Sequence, residues 1–263
     1  MVTIFGGMLA FMIAEQLFPY VDTDSVPASR WLTNWLLAFF NYFGALWLMS
    51  YLGTAAWLQS LLPDFQLNNH LPSVVVVAML VISVELASYW AHRLFHKVPA
   101  LWQVHAVHHM DTELDVTTSH RHHFLEVLAI TLLITPIFVT FGVPVWIALA
   151  YQMLRILLVH FNHSNLRVPS LVDHLLRPFV VTPSFHRVHH SPESTLTNSN
   201  YGAVVPWFDY LFGTARKPGG DDGTPVGLHY LRGRKDGRFH RVLLLPFAWR
   251  YWRPGKKSEQ TGS

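Results

Sequence analysis

The longest apolar stretch of the chain is FLEVLAITLLITPIFVTFGVPVWIALAYQMLRILLVHF, residues 124–161. It is too long for one membrane helix, which needs about 20 residues. The tripeptide Gly142-Val143-Pro144 near its middle is typical of a tight turn. We therefore expect two short spans joined as a helical hairpin, which returns the chain to the side on which it began. His123 and His163, which flank the stretch, are predicted to lie on the same membrane face.

Three further apolar blocks precede the hairpin. Residues 2–19 and 72–91 could each span a bilayer, although Glu15 lies within the first of them. Residues 31–62 exceed one span and predict either a long tilted helix or one span with an interfacial piece. The pattern as a whole predicts an all-α, multi-pass membrane bundle of about four to five spans, with five as the preferred count.

The composition agrees with a membrane protein. Of the 263 residues, 51% are hydrophobic and 13% are charged, whereas a soluble domain carries about 25% charged residues. The chain contains no cysteine, which excludes zinc–thiolate sites, iron–sulfur clusters, disulfides and thiol nucleophiles. Any bound metal must then be held by nitrogen and oxygen ligands.

Charge is distributed unevenly along the chain. From Thr214 onward there are 11 Lys or Arg residues against four Asp or Glu residues, and no basic residue precedes Arg30. Basic segments of membrane proteins remain in the cytosol, so the C-terminus and the histidine-rich face are predicted to be cytosolic. With five spans the N-terminus would lie on the opposite side. No nucleic-acid-binding signature accompanies the charge, and no nucleic-acid partner is expected.

Histidine is concentrated in the middle of the chain, where 14 of the 17 histidines lie between His92 and His190. HAVHH at 105–109 and HRVHH at 186–190 share one spacing, which places all three rings on one helix face. Imidazole is the commonest transition-metal ligand in proteins. About eight to ten imidazoles on one membrane face exceed the four ligands of a structural zinc and are better matched to two metal ions. Four histidines outside these groups are expected to be ordinary polar residues: His70, His174, His229 and His240.

Four carboxylates near the histidines could accept the free ring N–H of a metal-bound imidazole and so fix its orientation. They are Glu85, Asp111, Glu113 and Glu126. Glu85 lies within the apolar block 72–91, seven residues before His92, and an ionisable side chain at that depth is a functional candidate. The alternative for each of them is an ordinary interfacial acid.

Several motifs within residues 75–216 resemble the histidine boxes of the fatty acid hydroxylase / sterol desaturase superfamily of integral-membrane di-iron enzymes. The motifs are ELASYWAHRLFH, HHMDTELDVTTSHRHHFLE, FNHSNLRVP and VTPSFHRVHHSPESTLTNSNYG followed by WFDYLFGT. By this resemblance the metal ligands are His92, His96, His105, His108, His109, His123, His163, His186, His189 and His190. His123 matches the histidine of an R-x-H-P motif, although Phe124 follows it here in place of proline. His120, His122 and His160 are additional to the motifs.

The resemblance implies an oxygen-dependent enzyme that hydroxylates or desaturates an unactivated C–H bond of a lipid taken from the bilayer. It implies two iron ions as cofactors, which zinc can replace during purification, and dioxygen as co-substrate. An external electron donor of the cytochrome or ferredoxin type is also expected. Together with the apolar blocks, it divides the chain into N-terminal transmembrane segments (1–71), a histidine-box catalytic domain with a cytosolic cap (72–216) and a basic cytosolic tail (217–263).

Two other classes of protein remain open. A membrane zinc hydrolase would use metal-activated water and needs fewer ligands and no reductant. The second class is non-enzymatic, either a membrane metal carrier or a bis-histidine cytochrome. A transporter would place its polar ligands within the spans, whereas these histidines follow the ends of the apolar blocks.

Overall fold

The computed structural model describes residues 2–22, 27–51, 53–61, 66–217, 225–233, 235 and 237–248. Within these residues the chain forms helices and irregular segments without a β-strand, in agreement with the predicted all-α fold. The α-helices are α1 (Gly7–Leu17), α2 (Ala28–Tyr51), α3 (Thr54–Leu61), α4 (Ser73–Lys97), α5 (Pro99–His109), α6 (Phe124–Phe141), α7 (Val145–His163), α8 (Ser170–Leu176), α9 (Pro183–His189), α10 (Ser194–Thr197), α11 (Trp207–Leu211) and α12 (Phe239–Leu244). Short 3-10 helices cover Leu67–Asn69, Val116–His120 and Leu245–Phe247, and a π-helical segment, Val2–Gly6, precedes α1.

Three of the described helices, α4, α6 and α7, are long and apolar enough to cross a membrane. Many of their apolar side chains point away from the protein, and Val74 is 77% exposed and Trp146 70% exposed. Apolar surface on this scale is characteristic of contact with lipid. These three candidate spans match the predicted count of about four to five only in part. The helix α1 is shorter than a span, and α2 is not among the three.

The predicted break in the fourth apolar block is confirmed. Gly142 follows α6 in a left-handed conformation, with a φ of 60°, and α7 begins three residues later at Val145. Glycine is favoured after a helix end because it adopts this conformation without strain. The start of α6 and the end of α7 both approach α5, since the rings of His122 and His163 lie 4.3 and 5.0 Å from the ring of His108.

α4 is the central helix of the described fold. The first half of α4 packs through Leu80 and Val84 against Ile134 and Phe141 of α6. Further along, the buried Tyr89 packs against the segment that follows α10. Burial of this one face continues to the end of α4, where the first histidine pair lies.

The N-terminal helices are attached to this core by buried polar contacts. Arg30, at the start of α2, forms ion pairs with Asp111 at 2.6 Å and with Asp115 at 2.5 Å. Glu15 of α1 accepts a hydrogen bond from the backbone N–H of Asn165 at 2.6 Å. Asp111 and Asn165 each lie two residues after a metal-ligand candidate, His109 and His163 respectively, so α1 and α2 are fixed to the segments that carry the histidines.

Part of the predicted C-terminal tail is packed into the core. Val242 of α12 and the adjacent Leu245 are buried against Ala106 and Val107 of α5. Much of the remaining tail, including residues 218–224 and 249–263, lies outside the described residues. The segment 217–263 thus contains residues that support the histidine helices, in addition to its basic charge.

Candidate metal centre

Four helices bring the histidines together. His92 and His96 lie in the last two turns of α4, and α5, which begins with Pro99, carries HAVHH at its end. HRVHH lies on α9, which begins with Pro183, and α7 ends at His163. Proline is favoured at a helix start because the first N–H groups have no partner within the helix. The two prolines therefore define where the two triplet-bearing helices begin.

The first group contains five histidines, whose ligand atoms all lie within 4.8 Å of one another: His92, His96, His105, His109 and His189. The Nε2 atoms of His92 and His105 are 3.1 Å apart. Within the described residues, the buried Nε2 atoms of His96 and His189 and both ring nitrogens of His109 have no hydrogen-bond partner. Buried polar atoms normally have one, so nitrogens that converge in this way fit a metal ion.

The second group contains four buried histidines, again with ligand atoms within 4.8 Å of one another: His108, His163, His186 and His190. Nε2 of His163 lies 3.2 Å from Nε2 of His108 and 3.0 Å from Nε2 of His186. A ring nitrogen has one in-plane position, which holds either a hydrogen or a lone pair, so His163 cannot form both contacts as hydrogen bonds. Ring nitrogens that surround one common position are arranged like the ligands of a cation.

The repeated H-x-x-H-H spacing supplies both groups from each helix. In HAVHH the first and last histidines belong to the first group, and the middle one, His108, belongs to the second. In HRVHH the assignment is reversed, and the middle one, His189, belongs to the first group. Residues i and i+4 lie above one another on a helix while i+3 is offset. The spacing is therefore suited to two adjacent centres.

Backbone carbonyl groups orient several of the rings. The carbonyl oxygen of Tyr201 accepts a hydrogen bond from Nδ1 of His92, and that of Ser199 accepts one from Nδ1 of His189, each at 2.7 Å. Since a carbonyl oxygen can only accept, Nδ1 carries the hydrogen in both rings and Nε2 carries the lone pair. This fixes the tautomer that presents Nε2 to a metal.

The loop that supplies these carbonyl groups lies within the quoted motifs, but the sequence predicts no role for it. The buried carboxylate of Asp209 accepts the backbone N–H groups of Tyr201 at 2.8 Å and Gly202 at 2.7 Å. A Cβ atom on Gly202 would lie 2.5 Å from the backbone oxygen of Val205, so only glycine fits there. The motifs LTNSNYG and WFDYLFGT therefore hold the two acceptors in place, and a backbone acceptor leaves no side-chain signature in a sequence.

Of the four predicted acids, only Glu126 lies within hydrogen-bonding distance of histidine rings. Its Oε1 accepts from Nδ1 of His105 at 2.7 Å and from Nδ1 of His122 at 3.0 Å. The other three have different partners. Glu85 accepts from Tyr151 and Arg155, Asp111 pairs with Arg30, and the backbone oxygen of Glu113 accepts from Arg30.

His123 lies apart from both groups, in contrast to the ligand role predicted for it. Its Nδ1 accepts the N–H of Leu125 and caps α6, and its Nε2 lies 3.1 Å from the carbonyl oxygen of Leu243. His122 instead points to the site and stacks on His108. The segment between Val116–His120 and α6 is not helical, so adjacent residues point in different directions and helical spacing does not apply. The Nε2 atoms of His120 and His160 are 2.7 Å apart and form a separate pair.

Burial favours the neutral form of five histidines outside the membrane-spanning helices. Desolvation, and after it repulsion from neighbouring imidazoles, holds the pKa well below its usual range for His108, His109, His186, His189 and His190. A neutral imidazole offers the lone pair that a metal ion requires. The arrangement is therefore able to bind cations at neutral pH.

A cavity of about 220 Å³ reaches both groups. Histidines from each group form one side of it: His92, His105, His108, His163 and His186. Much of the remaining wall is apolar and comes from α4, α6 and α7: Phe95, Val127, Ile130 and Val159. An apolar molecule in this cavity would lie against the histidine rings of both groups while in contact with the candidate membrane-spanning helices.

Three curated relatives are similar to parts of this chain. The ornithine lipid hydroxylase OlsE of Rhizobium tropici is 30% identical over 190 residues, which cover 71% of this chain and 53% of that protein. The alkylglycerol monooxygenase of Xenopus tropicalis is 28% identical over 135 residues, 51% of this chain and 29% of that protein. The very-long-chain aldehyde decarbonylase GL1-6 of Oryza sativa subsp. indica is 33% identical over 142 residues, which cover 51% of this chain and 22% of that protein. The chain thus spans about half the length of the first relative and less of the others.

No solved structure gives a significant match. The sequence profile described as fatty acid hydroxylase, in contrast, matches residues 76–214, which is more than half of the chain. This region contains every histidine of the two groups together with Glu126 and the loop that orients the rings. The resemblance seen in the histidine motifs is confirmed, and the chain belongs to the fatty acid hydroxylase family.

Proposed function

We propose that this protein is an integral-membrane oxygenase that uses two iron ions and dioxygen to hydroxylate or desaturate a lipid. The observation that carries the proposal is the pair of adjacent histidine groups, with five and four members, at the end of a largely apolar cavity. Family membership supports the reaction class. The names of two relatives, an ornithine lipid hydroxylase and an alkylglycerol monooxygenase, support a lipid as substrate.

The residues of the two groups fit a pair of iron ions. The first ion would be held by His92, His96, His105, His109 and His189, and the second by His108, His163, His186 and His190. An all-imidazole donor set without thiolates suits iron and also zinc, which is why zinc can be found after purification. When bound, the iron ions supply the reduction of dioxygen and the cleavage of a strong C–H bond, which the side chains of the site do not perform by themselves.

The protein residues contribute binding, orientation and exclusion of water. The walls formed by α4, α6 and α7 would admit a lipid chain directly from the bilayer to the cavity. Glu126 and the carbonyl groups of Ser199 and Tyr201 hold ligand rings in one tautomer, which keeps the donor atoms in place through turnover. Burial of the histidines excludes water and so limits competing reactions.

The number of ligands favours an oxygenase over a zinc hydrolase. A catalytic zinc uses about three protein ligands and an open position, whereas each histidine group here exceeds that number. Electrons would come from a separate protein of the cytochrome or ferredoxin type. We place the histidine face and the C-terminus in the cytosol because the basic residues are concentrated after Thr214.

The test is to express the wild-type protein and the His186→Ala variant in the same cells under isotopically labelled dioxygen, followed by untargeted lipid mass spectrometry. We expect a lipid that carries one labelled oxygen atom, or that lacks a pair of hydrogen atoms, in the wild-type sample only. His229→Ala, at an exposed position outside both groups, is the matched control and should keep the product. A product whose new oxygen comes from water would instead support the hydrolase.

A further inference from the structure

A second, larger cavity continues from the one that reaches the histidines. It has a volume of about 680 Å³. The two cavities share five lining residues: His122, Val127, Thr131, Arg155 and Val159. The two cavities therefore adjoin one another. One reaches the histidine rings, and the other extends along α2, α6 and α7.

The wall of the larger cavity carries more polar groups than a hydrocarbon chain requires. Thr135 and Gln152 line it from within α6 and α7, two helices that are apolar enough to cross a membrane. Asn41 and Tyr42 line it from α2. Polar side chains at membrane depth are unfavourable unless they face a partner or a cavity, and they often mark a substrate path.

Gln152 is the most informative of these residues. It is half-buried and lies 11 residues before His163 on α7, which places it roughly 16 Å from that histidine along the helix axis. Within the described part of the chain, its carboxamide has no hydrogen-bond partner. An unpaired carboxamide that faces a cavity from within a membrane-spanning helix is favoured to pair with a polar group that enters the cavity.

The charge at the junction of the two cavities is balanced. Among the described residues that line the larger cavity, Arg155 is the only Arg, Lys, Asp or Glu residue. Its Nε lies 3.1 Å from Oε1 of Glu85, and its Nη2 donates to the hydroxyl of Ser88 at 2.9 Å. Because the guanidinium already has a carboxylate partner, the cavity is better matched to an uncharged polar group than to a carboxylate or phosphate.

We infer that the larger cavity binds the lipid through an uncharged hydroxyl, amide or ester group on the part of the molecule that lies within the bilayer, and that Gln152 is the residue that hydrogen-bonds it. The inference rests on the proposed function only in treating this lipid as the substrate. Since Gln152 is several helical turns from His163, the C–H bond presented to the histidines is remote from this polar group.

The test compares the binding of four isotopically labelled probes of equal chain length: hexadecan-1-ol, hexadecanamide, hexadecanoate and hexadecane. The protein is the full chain in detergent, loaded with zinc so that binding is measured without turnover. We expect the alcohol and the amide to bind about 2- to 10-fold more tightly than hexadecane, the range for one net buried hydrogen bond. Hexadecanoate should bind less tightly than the alcohol.

The variant Gln152→Met keeps the length of the side chain and removes the amide. It should lose the preference for the alcohol and amide while it binds hexadecane as the wild type does, which also shows that the cavity is intact. Met153→Leu, at a position 44% exposed on the outer side of α7, is the matched control and should keep the preference.

Equal wild-type affinity for the alcohol and hexadecane would overturn the inference, as would tighter binding of hexadecanoate or no binding of any probe. An unchanged preference in Gln152→Met would also overturn it. The proposed reaction is tested separately with labelled dioxygen. A protein that selects alcohols but forms no oxidised lipid would therefore retain this site and lose the proposed function.

Discussion

Oε1 of Glu126 lies 2.7 Å from Nδ1 of His105, and Nε2 of the same ring lies 3.1 Å from Nε2 of His92 across the first histidine group. One carboxylate therefore fixes the tautomer and the position of a ring that faces the proposed metal. Glu126 lies in the first turn of α6, so this contact also links the helical hairpin to the first histidine group.

Replacing Glu126 with Gln should lower metal affinity by about 10- to 100-fold, the usual effect of losing a carboxylate behind a ligand histidine. The amide oxygen of glutamine can still accept from both His105 and His122, but it is neutral and therefore a weaker acceptor than the carboxylate. The measurement is zinc retention against a chelator. Glu113→Gln is the control, because Glu113 contacts Arg30 and no histidine. Equal retention in the Glu126 and Glu113 variants would contradict the assigned role.

His123 should behave as a helix cap and not as a ligand. His123→Ala removes the acceptor for the N–H of Leu125 and should reduce the free energy of unfolding by about 0.5–2 kcal/mol. His123→Asn restores a good capping side chain and should recover most of that loss. Metal content should remain at the wild-type level in both variants. A loss of metal in His123→Asn comparable with that in His189→Ala would show that His123 is a ligand.

The ion pairs of Arg30 should be among the most important polar contacts for stability. Arg30→Met leaves Asp111 and Asp115 buried without their cation, which should lower the free energy of unfolding by about 3–5 kcal/mol. Denaturant unfolding in detergent measures the change. Arg216→Met is the control, since Arg216 is exposed and its side chain donates only to backbone carbonyl groups. A loss similar to that of the control would indicate that the aspartates find other partners.

The metal-free protein should lose stability as the pH falls below about 6.5, the ordinary pKa of histidine. Burial lowers the pKa of five histidines in the folded state: His108, His109, His186, His189 and His190. In that window the unfolded chain binds protons that the folded chain does not, so acid favours unfolding. Unfolding midpoints measured across this range should fall, and less steeply for His190→Asn, which has one buried imidazole fewer. An unfolding midpoint that does not depend on pH would contradict the burial of these histidines in the folded protein.

Helical spacing made most of the histidine arrangement predictable. The triplets of HAVHH and HRVHH and the i, i+4 pair on α4 are eight of the ten predicted ligands. His163, which the family resemblance adds, is the ninth, and the structure brings all nine into two groups. The hairpin was predictable because Gly142-Val143-Pro144 interrupts an apolar run that is too long for a single span. In both cases a local pattern of the sequence determines the outcome.

The remaining features depend on contacts between distant segments. His122 and His123 lie in a non-helical segment, where spacing does not indicate which ring faces the site. Tyr201 orients His92 through its backbone oxygen, and every residue type except proline carries the same backbone groups. The pairing of Arg30 with Asp111 spans 81 positions, and no local pattern connects them. The packing of α12 on α5 was not predicted, because the segment around α12 is rich in basic residues, which indicate a cytosolic tail.

The central claim is that the two histidine groups each hold one metal ion, and the metal content of the protein purified without oxygen from iron-supplemented cells tests it most directly. With two groups of five and four histidines, we predict close to two iron ions per chain, and a marked loss in His189→Ala although the protein still inserts into the membrane. A reproducible content of one zinc ion per chain with no iron, or full metal in His189→Ala, would contradict the account.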